Sequence, residues 1–260
     1  MKRVHLLTGL ILTGVTLQAF AAEMTGRQIM EKADKVNRPK DEIIMRTMAI
    51  MDDRGQVRER EMTTYFKAGE GDDDKTLIKF TAPTDLRGVG LLTIEEGSKD
   101  DQWLYLPKNK KTKRIAGASK ADSFMGSNFS NFDMRTEDLQ GHKYKRVGKE
   151  TFSKRPVWVV EATPKNDAMK EMTGYSKRVL KVDAERWTVM EVKYYDLKGK
   201  HLKTLRASAW KQYGKLWRAE KVEVRSAVDK SRTMLKKAKR KIDSGLKDSQ
   251  FSKRALEKMD

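Results

Sequence analysis

Near the N-terminal end of the chain, apolar residues recur at the spacing of a helix. Over residues 23–37 they return every three or four positions, as Ile29 and Ala33 do, and Thr25 stands where an N-cap belongs. Pro39 ends this pattern, because the residue before a proline is driven out of the helical region. The spacing predicts one helix ahead of everything that follows.

Beyond Pro39 the apolar period changes from 3.6 to 2, which is the period of strands. Turn residues such as Asp52–Gly55 separate the alternating runs, as expected for hairpins. The predicted strands are Ile43–Met51, Val57–Lys67, Thr76–Ala82, Gln102–Leu106, Thr112–Ile115, Tyr144–Phe152, Val157–Thr163, Tyr175–Asp183, Thr188–Tyr195, His201–Gln212 and Leu216–Val228. Strands at such regular spacing predict one large antiparallel sheet or an open barrel.

Five segments do not fit this meander. The stretch 118–135 is rich in Ser, Asn and Gly yet studded with Phe and Met, which is typical of a loop that folds against a core or carries function. Short helical pieces are predicted at Glu137–Leu139 and Asp167–Met172, and a basic helix-like stretch at Met234–Lys241. The tail after Asp243 is expected to pack back through Ile242, Leu246, Phe251 and Leu256.

Several predicted strands carry apolar residues on both faces. In Ile43–Met51 one face holds Ile43, Met45 and Met51, and the other Ile44, Met48 and Ile50. In Trp187–Tyr195 one face holds Trp187, Val189 and Tyr195, and the other Met190, Val192 and Tyr194. A sheet with one solvated face alternates cleanly, so either both faces are covered or one lines an apolar cavity. With 14 methionines, whose flexible side chains adapt to ligands, an acyl-chain site is one interpretation and ordinary core filling the other.

The first residues have the order of a secretory signal peptide. Lys2 and Arg3 precede a short apolar run, and Ala19-Phe20-Ala21 matches a cleavage site. We expect cleavage after residue 21, a single mature domain over residues 22–260, and a soluble protein in the periplasm. No Cys stands at the cleavage point, so lipidation of the new N-terminus is not expected. An N-terminal anchor that is never cut is the alternative.

The charge balance indicates anionic partners. Lys and Arg number 56 against 37 Asp and Glu, a formal net charge of +19. Export argues against nucleic acid and favours lipid headgroups, lipid A phosphates or an acidic protein face. One hairpin concentrates this charge and is the predicted headgroup- or partner-binding surface: Lys108, Lys110, Lys111, Lys113 and Arg114. The alternative is a hairpin tip that is merely solvated.

Catalytic and metal-binding patterns are missing from the sequence. There is no Cys, and His142 and His201 are isolated, so neither a metal site nor a cofactor is expected. No nucleophile elbow and no glycine-rich nucleotide motif occurs. The sequence therefore predicts a protein that is not an enzyme, although carboxylates scattered along the chain leave an enzyme as the remaining alternative.

One stretch is specific enough to resemble a known family. Trp103-Leu104-Tyr105-Leu106-Pro107, then Lys113-Arg114-Ile115, then Ser123–Ser130 with Asp133 resembles the periplasmic outer-membrane lipoprotein-sorting (LolA-like) family. Asn128, where an acid is expected, and Asn131-Phe132, in place of a Tyr-acid pair, depart from its pattern. The likeness spans essentially the whole mature chain and is closest to the branch associated with RND/MMPL-type transporters of the inner membrane.

The resemblance implies a mainly β protein with a few helices. Its sheet would be a strongly curved, antiparallel, unclosed barrel, with a helical and loop lid over an apolar cavity. It also implies a carrier of lipid or lipoprotein acyl chains, monomeric when free, that works with a transporter. The alternative function is a lipid-sensing regulatory subunit of a transporter or envelope-stress pathway. The expected lipid-binding residues are Met45, Met48, Trp103, Tyr105, Phe124, Met125, Phe129, Phe132, Met190 and Tyr194.

Overall fold

The computed structural model describes residues 23–71, 73–96 and 99–258. The predicted signal peptide, residues 1–21, lies outside them. The described chain is mainly β, with a 13-stranded antiparallel sheet and short helices around it. None of the helices in these residues is long and apolar enough to cross a membrane.

The helices and strands follow a simple order along the chain. The α-helices are α1 (Gly26–Val36), α2 (Asp167–Thr173) and α3 (Lys253–Glu257). The first half of the sheet contains β1 (Asp41–Met51), β2 (Val57–Lys67), β3 (Lys75–Ala82), β4 (Gly90–Glu96), β5 (Lys99–Leu106) and β6 (Lys111–Ile115). The second half contains β7 (His142–Phe152), β8 (Arg155–Pro164), β9 (Lys177–Asp183), β10 (Val189–Tyr195), β11 (His201–Tyr213), β12 (Leu216–Ser226) and β13 (Arg232–Ile242).

The sheet is two meanders joined at its centre. Its order is β6-β5-β4-β3-β2-β1-β13-β12-β11-β10-β9-β8-β7, so β1 pairs with β13 and the edges are β6 and β7. Both edges come from the middle of the chain, and the segment between them, residues 116–141, must run from one edge to the other. The expected unclosed antiparallel barrel is confirmed, and we call this connecting segment the lid loop.

The inner face of the sheet is covered by the lid loop and by α1. Phe124 and Phe129 are buried against Met48, Ile78 and Leu91, and the Phe124 ring stacks on Phe80 at 5.8 Å. Along the other half of this face, α1 packs on β7 and β8, and its Ile29, Met30 and Ala33 join a core that includes residues of β8 to β10. The Thr25 capping box fixes where α1 begins, as the sequence predicts.

The outer face of β3 to β5 is covered by the C-terminal segment. Leu246, Phe251 and Leu256 pack against Leu77, Leu92 and Tyr105, residues that alternate with those of the inner core. The expected packing of the tail is therefore confirmed for these three side chains, whereas Ile242, the fourth predicted, is the last residue of β13. The two coverings explain why strands in this half are apolar on both faces.

Three local predictions are wrong. Met234–Lys241 belongs to strand β13, because pairing with β1 on one side and β12 on the other overrides the helix propensity of its Lys and Ala residues. Gly90–Glu96 forms a strand that the sequence reading missed, and with β13 this brings the eleven predicted strands to thirteen. Glu137–Leu139 is irregular, whereas the helix predicted at Asp167–Met172 is present as α2.

A bulge also changes the predicted faces of Trp187–Tyr195. The pairing of β9 with β10 shifts register between Val189 and Glu191, leaving Met190 as the additional residue. Because of that extra residue, Val189 packs in the same core as Val192 and Tyr194, and not on the face opposite to them.

Candidate functional site

An apolar cavity lies between the lid loop and the inner face of β9 to β12. Its volume is about 340 Å³. Its wall on the sheet side is formed by Leu180, Val189, Val192, Tyr194, Leu205, Ala207, Trp210, Ala219 and Val222, with the Arg178 side chain beside them. The lid loop supplies the opposite wall through Phe132, Asp133, Arg135, Thr136 and Glu137. The cavity is thus apolar on its sheet side and polar on its lid side.

A mostly buried ion pair fastens one end of the lid loop to β9. Arg178 donates two hydrogen bonds to the Glu137 carboxylate, at 2.8 and 2.6 Å, and the Tyr144 hydroxyl donates a third at 2.6 Å. Burial alone would raise the pKa of Glu137, but the charge and hydrogen bonds of Arg178 outweigh it and lower the pKa to about 2. Glu137 is therefore a carboxylate at neutral pH, held directly at the cavity wall.

A second buried pair fastens the middle of the lid loop to β11. The Lys203 ammonium lies 2.6 Å from the Asp133 carboxylate and donates a further hydrogen bond to the Asn128 carbonyl at 2.8 Å. Tyr175 donates to Asp133 at 3.0 Å, and its ring lies 4.9 Å from that of Tyr194. Burial, followed by the negative charge of Asp133, raises the pKa of Tyr175, so its hydroxyl keeps its proton and remains a donor.

The rest of the lid loop is tied to the sheet by polar contacts. Arg60 of β2 donates to the Met125 carbonyl at 2.5 Å, and Arg135 pairs with Glu95 of β4 at 3.2 Å. Asn128, which departs from the family pattern, donates to the Ser231 hydroxyl at 2.7 Å and accepts from Thr233 at 2.8 Å. The lid loop is held by directional bonds around a small number of apolar anchors.

The predicted lipid-binding residues fall into three groups. Phe132 and Tyr194 line the cavity. Met48, Phe124, Met125 and Phe129 lie in the adjoining inner core, and Met190 is buried at the bulge in β10. Met45, Trp103 and Tyr105 are on the outer face: Met45 is 44% exposed, while Trp103 and Tyr105 pack in the C-terminal cluster. The structure therefore does not bring all ten side chains to one cavity.

The basic hairpin is exposed at an edge of the sheet. Lys108 and Lys110 stand at the turn before β6, and Lys111, Lys113 and Arg114 are in β6 itself. Lys111 and Lys113 pair in register with Leu106 and Leu104, which pack on the inner core. Arg114 forms an ion pair with Asp101. Four of the five cations make no ion pair with the described residues.

Sequence reasoning missed most of the residues that shape the cavity. Arg178 and Glu137 are 41 positions apart, and Lys203 and Asp133 are 70 apart, so only the folded sheet pairs them. Leu205 and Ala207 are two positions apart in β11 and so lie on the same face of the sheet, which is a signal in the sequence that could have predicted an apolar inner wall. In the described ranges, no group of three or more His, Asp or Glu is placed to hold a metal ion.

A second cavity lies on the outer face under the C-terminal segment. Its volume is about 520 Å³, and it is lined by Tyr65, Leu77, Lys79, Ser249, Gln250, Ser252, Arg254, Ala255 and Lys258. Most of these side chains are polar or charged, in contrast to the apolar sheet-side wall of the inner cavity. The inner cavity is therefore the better candidate for an apolar ligand.

Comparison with solved structures supports a common fold. A structure described as a candidate outer membrane lipoprotein-sorting protein domain from Vibrio parahaemolyticus is 30% identical, covering 90% of this chain and 98% of its own, with a TM-score of 0.85. A DUF1329 family protein from Desulfovibrio piger is also 30% identical, covering 89% and 97%, with a TM-score of 0.83. A LolA superfamily protein from Nitrosomonas europaea, 19% identical over 89% and 99%, has a TM-score of 0.69 and shares the fold.

Comparison with protein-family models shows which family the chain belongs to. No protein of curated function matches the chain. A family model described as "uncharacterized protein" matches residues 72–258, which is well over half of the chain. With that model and two solved relatives of 30% identity covered almost end to end, the chain belongs to the DUF1329 family, whose fold is that of LolA-superfamily lipoprotein-sorting domains.

Proposed function

We propose that this protein is a carrier that binds the acyl chains of a lipid or lipoprotein in its inner cavity. The observation that supports this most is the apolar wall of β9 to β12, left unfilled beneath a polar lid loop. A protein core of this size is normally packed by its own side chains, so an apolar space of ligand dimensions indicates a ligand. The solved relative named for lipoprotein sorting has the same fold.

The energetics suit an acyl chain. Each methylene removed from water contributes about 0.8 kcal/mol, so a chain of twelve methylenes gains roughly 10 kcal/mol. The cavity volume of about 340 Å³ is near the lower end of ligand sites, which run from about 300 to 1,000 Å³. One chain fits this space more readily than several. Larger cargo requires the lid loop to lift Phe124 and Phe129 out of the inner core.

The place of action follows from the proposed carrier role. An apolar chain needs a carrier where it must cross water, and the signal peptide predicted at residues 1–21 would deliver the protein to the periplasm. We propose that it acts there without an N-terminal lipid and exchanges cargo with an inner-membrane transporter of the RND/MMPL type. The basic hairpin is the surface we assign to that partner or to anionic headgroups.

Two measurements test the carrier proposal. Native mass spectrometry of the protein purified from cell envelopes should show a bound lipid or acylated species, released when the protein is denatured. The purified protein should then move fluorescent acyl lipid from donor to acceptor vesicles in proportion to its concentration. Binding without transfer would favour a lipid-sensing subunit. Absence of binding in both measurements would contradict the carrier and the sensor alike.

Charge reversal tests the role of the basic hairpin. The variant Lys108→Glu, Lys110→Glu, Lys111→Glu should bind anionic vesicles at least several-fold more weakly at low salt. The difference should shrink at 1 M salt, where the screening length falls to about 3 Å. Co-sedimentation with vesicles measures both. These lysines are exposed, so folding should be unaffected.

The matched control reverses three exposed lysines on another strand. Lys236→Glu, Lys239→Glu, Lys241→Glu in β13 makes the same change in net charge away from the hairpin. If both triple variants lose the same affinity, total charge and not the hairpin attracts the membrane. If neither does, the hairpin is only a solvated tip.

A further inference from the structure

One end of the inner face carries more cations than its acids neutralise. Strands β1, β12 and β13 bring together four basic side chains: Arg46, Arg218, Lys237 and Arg240. The carboxylates that pair with them are Glu42 and Glu220. Glu42 accepts from both Arg218 and Arg240, and Glu220 lies 2.6 Å from the Lys237 ammonium. Two carboxylates are thus shared among three cations, and the fourth cation remains.

Arg46 is that remaining cation. Within the described ranges, its guanidinium makes neither a hydrogen bond nor an ion pair, although it is only partly exposed and lies beside Met48 on the inner side of β1. Burial first, and then repulsion from Arg240, lower the pKa of Arg46 to about 10, against a smaller opposing attraction from Glu42 and Glu220. The side chain is still charged at neutral pH, and a charge held partly away from water without a hydrogen-bond partner is costly.

Two further donors at this end also lack acceptors. The Arg240 side chain is 2% exposed, yet its Nε has no hydrogen-bond partner, and the nearest oxygen of Glu220 is 3.9 Å away. The Nε1 of Trp210 is buried and equally unpaired. Unsatisfied buried donors of this kind cost free energy and are rare in folded proteins. All of these groups are donors, and because Arg46 and Arg240 are also positively charged, the acceptor that suits them best is an anion.

Trp210 lines the apolar cavity, and Arg240 is hydrogen-bonded to the cavity wall. Trp210 and Ala219 both line it and pair with each other across β11 and β12. The Ala219 carbonyl in turn accepts a hydrogen bond from Nη2 of Arg240 at 3.3 Å. An amphiphile with its chain along Leu205 and Val222 would therefore place its polar end towards Arg240. Arg46 is on the next strand, where it pairs in register with Lys237 of β13, the strand that carries Arg240.

We propose that Arg46, Arg240 and Trp210 form an internal anion site that receives the phosphate headgroup of the amphiphile whose acyl chain fills the cavity. This rests on the proposed carrier function and names its ligand class. Guanidinium groups bind phosphate through paired, charge-assisted hydrogen bonds, and several donors suit the three terminal oxygens of a phosphate monoester. The bound phosphate would also supply the negative charge that Arg46 lacks.

The test compares two ligands that share a chain and differ in the headgroup. Lysophosphatidic acid and the monoacylglycerol of the same acyl chain are titrated into the wild type, Arg46→Met and the control Lys236→Met. Lys236 is exposed on β13 and pairs with Thr47, so the control removes one charge from the neighbouring position. Inorganic phosphate alone is titrated as a third probe. Calorimetry measures affinity, and thermal unfolding measures the stability of each unliganded protein.

The wild type should bind lysophosphatidic acid at least about tenfold more tightly than monoacylglycerol, the effect of one to two charge-assisted hydrogen bonds. Arg46→Met should reduce that preference to less than about threefold and leave the affinity for monoacylglycerol unchanged. Its melting temperature should be no lower than that of the wild type, because the substitution removes an unpaired cation. Lys236→Met should keep the full preference. Inorganic phosphate should bind weakly to the wild type and not to Arg46→Met.

The outcomes separate this inference from the carrier proposal. Equal affinity of the wild type for the two amphiphiles, or an undiminished preference in Arg46→Met, would overturn the anion site while leaving the acyl cavity intact. Binding of inorganic phosphate without binding of either amphiphile would contradict both, since the site would then serve free phosphate. A lower melting temperature for unliganded Arg46→Met would show that the guanidinium already has a partner within the protein.

Discussion

Filling the inner cavity is expected to weaken acyl-chain binding at least about tenfold while the protein stays folded. In Ala207→Trp, the indole would project from β11 into the space between Leu205, Val222 and the lid loop. Burying an added aromatic side chain in an existing apolar void avoids the overpacking that costs about 1–3 kcal/mol in a filled core. Affinity for a fluorescent fatty acid should fall at least about tenfold, a loss of about 1.4 kcal/mol or more.

Ala238→Trp is the matched control for this experiment. Ala238 is exposed on β13, so the same substitution adds an indole outside the cavity. Its fatty-acid affinity and its melting temperature should equal those of the wild type. Retention of wild-type affinity by Ala207→Trp, with a normal melting temperature, would show that acyl chains bind elsewhere.

Removing Arg178 should produce the largest loss of stability. Arg178→Met leaves the mostly buried Glu137 carboxylate with only the Tyr144 hydroxyl as a side-chain donor. Breaking a buried pair costs about 3–5 kcal/mol, and because Glu137 keeps some contact with water we expect a loss of about 3 kcal/mol. Chemical denaturation measures this loss. In the double variant Arg178→Met, Glu137→Leu no charge is left unpaired, so most of the lost stability should return.

The same pair has a defined pH dependence. The pKa of Glu137 in the folded protein is about 2, below its ordinary value near 4.5. The ionised carboxylate therefore contributes fully to the free energy of unfolding above about pH 4.5, and this contribution disappears as the pH falls towards 2. In Arg178→Met the Glu137 carboxyl has lost its cation, so burial raises its pKa and favours the protonated form. The difference in unfolding free energy between wild type and variant should therefore narrow from pH 7 to pH 3. A constant difference would show that Glu137 is not the group left unpaired.

The architecture could be predicted because its signals are local. Strand-like runs such as Val57–Lys67, separated by turn residues, identified most of the strands, and Thr25 with Pro39 bounded the helix. The prediction was wrong for β13, where the local sequence pattern is compatible with both a helix and a strand. The Lys-rich run of β13 has the composition of a surface helix, and only its two neighbouring strands make it a strand.

The cavity could be predicted only in part, because its walls come from distant parts of the chain. The lid loop was recognisable from Phe124 and Phe132 in a polar stretch. Which face each strand turns inward depends on bulges, and the one at Met190 moves Val189 to the inner core. Trp103 belongs to the most family-like stretch, yet it lies on the outer face because β5 alternates and the C-terminal segment covers that side.

The most direct test of the carrier account is to locate a bound acyl chain. A fatty acid with a photoreactive diazirine near its methyl end is bound, irradiated and mapped by peptide mass spectrometry. We predict adducts on the inner wall, in residues 189–194 and 205–222, and on the lid loop near Phe132, with none in Ala207→Trp. Adducts confined to residues 65–79 and 249–258, around the outer cavity, would contradict the account, and so would labelling that Ala207→Trp leaves unchanged.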